Sequence, residues 1–275
     1  MLFADLAFAQ LLNQKEALGI SNIVASMASL YPGSSRGLWL EGGAYAAYTG
    51  PTMPINRVVS MGMHGPVDPV TLDQAEQFYT ELNMPTEVDV CPLADPSLFQ
   101  LLGERGYRLK RFLNFMYRPL TSEDTWLALP TGPVNLEVEV SPMQPTEVEL
   151  WANISAQGFT DSDGPLPEDE IKLCRVLAGR TDALLFLARV NGEVAGTGLL
   201  SMANGVAGLA STSTLPAFRS RGVQSALINT RLKLAAEAGC DVAMVLTTPG
   251  SASQRNMHRH SFQIAFTTFT MIREL

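Results

Sequence analysis

The chain has 275 residues, of which 46% are hydrophobic and 17% charged; that is enough to bury a sizeable core and to make two domains of about 130 residues. Disorder of the whole chain is excluded, and every apolar run falls short of the about 20 residues that a membrane helix requires, so no membrane partner is expected. A formal charge of −8, from 19 basic and 27 acidic residues, argues against nucleic acid, because phosphate binding needs a basic face. The stretch Met1 to Phe8 carries Asp5 and no Lys or Arg before Lys15, so it does not read as a secretory signal. Cys91, Cys174 and Cys240 are odd in number and lack metal or redox spacing, and read as buried small hydrophobes in a reducing, cytoplasmic setting.

In chain order, apolar residues recurring from about Ala4 to Leu30 predict helix, with Gly19 as a point where it breaks in two. Gly37 to Leu40 and Ala44 to Tyr48 flank Gly42 and Gly43 as in a β-hairpin, and Asn56 to Met61 reads as a third strand. A helix follows from about Pro69 to Leu82, then a strand from Glu87 to Leu93 and a helix capped by Asp95-Pro96 and ended by Gly106. Tyr107 to Arg118 reads as a long last strand. Turn-rich residues between Pro119 and Pro133 predict a linker, placed at 121–133, that separates a lobe at 1–120 from one at 134–275.

In the second lobe, Leu136 to Val140 alternates as a strand and Pro145 to Gln157 reads as a helix. An acidic loop with Asp161, Asp163, Glu168, Asp169 and Glu170 leads into a helix carrying Leu173 and Val176. Ala183 to Val190 and Val194 to Met202 form a hairpin about Asn191-Gly192, and Val206 to Thr214 is the next strand. After a long helix ended by Gly239 come a strand at Asp241 to Thr247, a short helix and a final strand.

The two halves resemble each other. Tyr107 and Phe262 lie 155 residues apart, as do Arg118 and Arg273, and the same offset lays the strand near Val90 on the strand near Val245 without a gap. This reads as an internal duplication of one αβ unit.

The segment Arg219-Ser220-Arg221-Gly222-Val223-Gln224-Ser225, between a strand and a long helix, is the most specific feature of the sequence. The first N–H groups of a helix lack intrahelical acceptors and its dipole is positive there, so a pyrophosphate can bind. Arg219 and Arg221 add charge, and Gly222 removes a Cβ from the approach.

This segment, with the order of strands and helices around it, resembles the GCN5-related N-acetyltransferase (GNAT) family, whose acetyl-CoA loop reads Arg or Gln, two residues, Gly, one residue, Gly or Ala. The departures are Gln224 at the last position and Ser261-Phe262 where the family usually has Gly-Phe. The likeness implies a tandem α/β (α+β) protein of two acetyltransferase-like lobes, each a mixed, mostly antiparallel sheet flanked by helices, with a degenerate N-terminal copy. It also implies acetyl-CoA as co-substrate, bound by Thr214, Leu215, Arg219, Arg221, Gly222, Val223, Gln224 and Ser225, with Asn256 on the helix after Pro249. The first-half counterpart, Met61 to Val67, has no arginine and carries Pro66, which removes a donor. That copy is expected to bind no CoA.

The chemistry is less legible. Where many family members have a proton-donating tyrosine this chain has Met257, and the strand Val206 to Thr214 holds no Asp, Glu or His. Ser211 and Ser213 remain as residues that order a water, and Ser253 and His258 as proton donors; for His258 the plain reading is an exposed helix residue. The expected activity is transfer of an acetyl group to an amine of a small molecule or peptide by direct attack. The acidic loop either draws in a cationic acceptor or is a solvated loop. A non-catalytic acyl-CoA sensor is the rival, a longer acyl chain is hinted at by Met202, Met244 and Met257, and the sequence is compatible with an oligomer.

Overall fold

The computed structural model describes residues 3–126, 138–160 and 165–275. The chain opens with helix α1, Leu6–Leu30, whose first turn is capped by Asp5 accepting from the N–H of Phe8 at 2.9 Å. Gly19 does not break it. One glycine costs a helix about 1 kcal/mol, which is outweighed here because Ala17, Ile20 and Val24 on either side pack against Tyr45, Ala47 and Val59.

Strands β1 (Arg36–Trp39), β2 (Tyr45–Tyr48) and β3 (Arg57–Val59) follow, then helix α2 (Pro69–Thr80), strand β4 (Thr86–Val90), helix α3 (Pro96–Glu104) and strand β5 (Arg108–Pro119). The second half supplies β6 (Val138–Pro142), α4 (Val148–Thr160), α5 (Glu168–Ala178), β7 (Ala183–Val190), β8 (Glu193–Ala203), β9 (Val206–Thr214), α6 (Val223–Glu237) and β10 (Val242–Thr247). Helix α7 (Ala252–Arg259) and β11 (Gln263–Arg273) end the chain. Of the expected linker, residues 122–126 form a 3₁₀ turn, while 127–133, like Asp161 and Asp163, lie outside the described residues. No helix among the described residues is long and apolar enough to cross a membrane.

The chain divides into two compact units, one holding the residues up to Tyr117 together with Leu246–Leu275 and the other Arg118–Val245. This division differs from a single cut at 121–133. In the first unit the strands run β1-β2-β3-β4-β11-β5, with only β3 and β4 parallel. The last strand of the chain therefore pairs with β4, Phe269 opposite Val90 and Arg273 opposite Thr86. Thr268 Oγ1 donates to the carbonyl of Val90 at 2.8 Å, and Thr270 Oγ1 to the Asp89 carboxylate, which also takes the guanidinium of Arg57.

The second unit has strand order β10-β9-β8-β7-β6, with only β9 and β10 parallel. Its core packs Trp151, Ala152 and Ala156 of α4 and Cys174 of α5 against Leu185, Leu187 and Leu199. Burial pushes the Cys174 thiol up to about 11, and the side chain packs as part of this core. All three cysteines are buried and unpaired with one another.

Several elements of the two halves correspond at the offset read from the sequence. The 155-residue offset places β5 on β11 and α3 near α7, and it places Gly106 on Ser261, both with positive φ (72° and 63°) at the turn before the strand.

Candidate active site

The candidate site of the second unit is built on the C-terminal half of β9 and the N-terminus of α6. The parallel ladder pairs Val206–Gly208 with Val242–Met244 and goes no further, although β9 continues to Thr214. On its other side β9 follows β8 antiparallel, Thr197 opposite Ser213 and Leu199 opposite Ala210, so Ser211 and Thr212 share Gly198 as their partner. This is a β-bulge with Ser211 at φ 48°, and bulges re-aim a strand.

Beyond the bulge, the N–H of Leu215 donates to the carbonyl of Ala195 at 2.9 Å. The Leu215 amide is therefore engaged within the sheet. Since neighbouring residues of a strand turn their polar groups to opposite edges, the N–H and C=O of Thr214 face away from β8. They lie on the edge that β10 leaves unpaired.

Gly196 lets this edge exist. A Cβ there would stand 2.5 Å from the carbonyl oxygen of Ser213 and 3.0 Å from a methyl of Val223. With Gly198 it makes an i, i+2 pair on one face of β8, a sequence signal of close backbone approach that reading by motif overlooks.

After β9, a 3₁₀ turn at Pro216–Phe218 leads into the loop. Arg219 and Arg221 are exposed, and the Arg221 guanidinium lies 5.6 Å over the Phe218 ring. Gly222 is the N-cap of α6 at φ 81°, a region that suits glycine. The first intrahelical bond runs from Ala226 to the Gly222 carbonyl at 2.9 Å. The N–H groups of Val223, Gln224 and Ser225 stand ahead of that bond in the first turn of the helix, and Gly222 has no side chain to cap the turn. The turn carries two guanidinium groups and a positive helix end within a few residues. That is a place for a diphosphate.

The proton-transfer candidates fare unequally. Ser213 is buried with its hydroxyl 2.8 Å from Thr197 Oγ1, so it holds the strands together. Ser211 is half-buried at the bulge. Ser253, Asn256 and His258 lie on α7, in the first unit, with Met257 buried beside them. His258 has Nδ1 3.0 Å from the Phe262 carbonyl and Nε2 3.2 Å from Gln254 Nε2, an arrangement met by the tautomer that donates from Nδ1 and accepts at Nε2. Both nitrogens are used locally. His258→Ala is accordingly expected to leave turnover within about twofold, measured as CoA release. Glu168, Asp169 and Glu170 occupy the first turn of α5, where carboxylates stabilise a helix through its dipole. Among the described residues no cluster of His, Cys, Asp and Glu can hold a metal ion.

Comparison with known proteins bears on residues 148–262, which match the acetyltransferase (GNAT) family model; the match ends at the residue before β11. Among solved structures, a GCN5-related N-acetyltransferase from Kribbella flavida is similar with a TM-score of 0.63 and 19% identity, covering 93% of this chain and 94% of its own. A tandem GNAT protein from the clavulanic acid biosynthesis pathway gives 0.61 and 14%, over 96% of both chains. FemX gives 0.55 and 13%, over 93% and 95%. At these identities the likeness is one of fold. No curated protein sequence matches the chain.

Proposed function

We propose, on the premise that residues 148–262 are an acetyltransferase domain of the GNAT family, that this protein transfers an acetyl group from acetyl-CoA to an amine. Members of that family are generally acetyl-CoA-dependent acyltransferases. The observation that carries the reading is the α6 N-terminus, opened by left-handed Gly222 and flanked by exposed Arg219 and Arg221, beside the Thr214 edge of β9. The diphosphate takes the helix N-terminus and the arginines, and the amide-bearing arm adds to the strand edge as an extended ligand does. A deprotonated amine then attacks the thioester carbonyl and CoA leaves as the thiolate.

β9 carries no Asp, Glu or His, so the proton leaves through water ordered by backbone groups and Ser211. The rate is therefore expected to climb with pH toward the amine's own pKa, with no plateau from a side chain tuned near neutrality. A net charge of −8 favours a cationic acceptor, small molecule or peptide, by electrostatic steering. A cytoplasmic setting goes with this reading.

The first copy supports one CoA per chain. Its equivalent helix, α2, begins with Pro69, which has no N–H, and is capped by Asp68, whose carboxylate accepts from Val70 at 2.8 Å. A carboxylate thus occupies the place that a phosphate would need. Calorimetric titration should give a stoichiometry of one, and a value of two would overturn this account of the first copy.

The rival is a non-catalytic acyl-CoA sensor, favoured by buried Met257 and by the lack of a base on β9. CoA release measured over a panel of amines separates them: turnover on any amine supports the transferase, and tight binding with none supports the sensor.

A further inference from the structure

Arg231, on α6 two turns beyond the phosphate loop, is fully buried at 0% exposure. Its Nη1 donates to the carbonyls of Leu199 at 2.9 Å and Ala210 at 3.1 Å, its Nη2 to Thr212 Oγ1 at 2.7 Å, and its Nε to the carbonyl of Leu227 at 2.9 Å. Leu199 and Ala210 are the last regular pair before the β9 bulge, and Thr212 lies in it. The guanidinium lies against Gly198, where a Cβ would come within 3.1 Å of Cζ.

Among the described residues no carboxylate pairs with this side chain, and burial alone lowers its pKa to about 9. It is charged at neutral pH, with carbonyl and hydroxyl dipoles in place of a counter-ion. A buried charge without a partner is costly, and an apolar side chain of similar volume would serve packing at least as well. What an apolar side chain lacks is the planar fork that engages both strands and the bulge together.

We propose that Arg231 is a positioning residue of the acyl-CoA site: it pins the β9 bulge to the helix that begins at the phosphate loop. It thereby sets where the Thr214 edge stands relative to the N-terminus of α6. This rests on the CoA reading above. Gly222 and Arg231 are nine residues apart on one helix, roughly 13 Å, so a single rigid element carries both the phosphate end and the clamp on the edge that receives the pantetheine arm.

The test uses the full chain and two ligands in calorimetry, CoA and its nucleotide half, 3′-phospho-ADP, with R231Q, R231K and T212V. The nucleotide half should bind all three variants within about twofold of the parent. CoA should bind about tenfold more weakly to R231Q and about threefold more weakly to T212V, the size expected when bonds that hold a binding edge are lost. R231K, which keeps the charge and part of the donor set, should recover part of the loss.

Unchanged CoA affinity in R231Q and T212V overturns the proposal, as does an equal loss for both ligands, which would mark a merely structural residue. If R231Q does not fold, T212V decides: the same selective loss supports the proposal, and its absence overturns it. A parent protein that binds neither ligand fails the CoA reading itself, a result distinct from all of these.

Discussion

Replacing Arg219 and Arg221 together by Ala is expected to weaken CoA binding by about a hundredfold or more while leaving the thermal midpoint within about 2 °C. Both side chains are exposed, so the lower end of the range for a charge-assisted bond, about 1.5 kcal/mol each, is appropriate; two such contacts amount to about two orders of magnitude in affinity. The fold loses little. Arg221 contributes one contact over the Phe218 ring, worth about 0.5 to 1 kcal/mol at an exposed site. Calorimetry with CoA and a melting curve on the same samples check both halves. A folded double variant with parental affinity would remove the phosphate loop from the account, and raising salt should weaken the parent more than the variant, because the lost contacts are ionic.

Gly196→Ala is expected to act on stability and binding together. The added methyl would stand 2.5 Å from the Ser213 carbonyl oxygen, a backbone atom that moves only if β9 moves. Overpacking of this kind costs about 1 to 3 kcal/mol. The strand that gives way also carries Thr214 and the turn into the phosphate loop, so the displacement reaches the ligand. A drop in midpoint of several degrees is expected, with CoA affinity reduced at a temperature where the variant is still folded. Parental affinity in the folded variant would show that the β9 edge does not contact the arm.

The residues that announce the site are local ones. A strand, a basic turn with Gly222 and a long helix can be recognised from a dozen consecutive letters, and the structure has Gly222 as the left-handed cap of α6. The hairpin about Asn191 and Gly192 is legible for the same reason, with both residues at positive φ. What is not legible depends on partners distant in sequence. Arg231 follows Asn229 and Thr230 and precedes Lys233, a polar run that reads as a solvated face; only the glycine at 198 and the bulge in β9 make room for a guanidinium there. Asp68 and Pro69 read as an ordinary helix start, and their consequence for a phosphate appears only beside Gly222 in the other copy. The pairing of β11 with β4 is equally hidden, since alternation shows that a segment is a strand and says nothing of the strand it joins. A cut at the turn-rich stretch is what composition suggests, and sheet pairing carries the last thirty residues back to the first unit.

That pairing bears on how the protein is made. When residue 117 has left the ribosome, β4 still lacks Phe269–Arg273, which occupy one of its edges in the finished molecule. At about 5 to 20 residues per second, the edge waits roughly ten to thirty seconds for its partner, and an unpaired edge of this sort invites other chains. During synthesis the first lobe therefore presents this open edge until the last strand arrives. The same dependence makes the copies hard to separate by gene fission: a fragment ending before Gln263 leaves β4 open, and a fragment starting after the first copy carries β11 with no β4 to join.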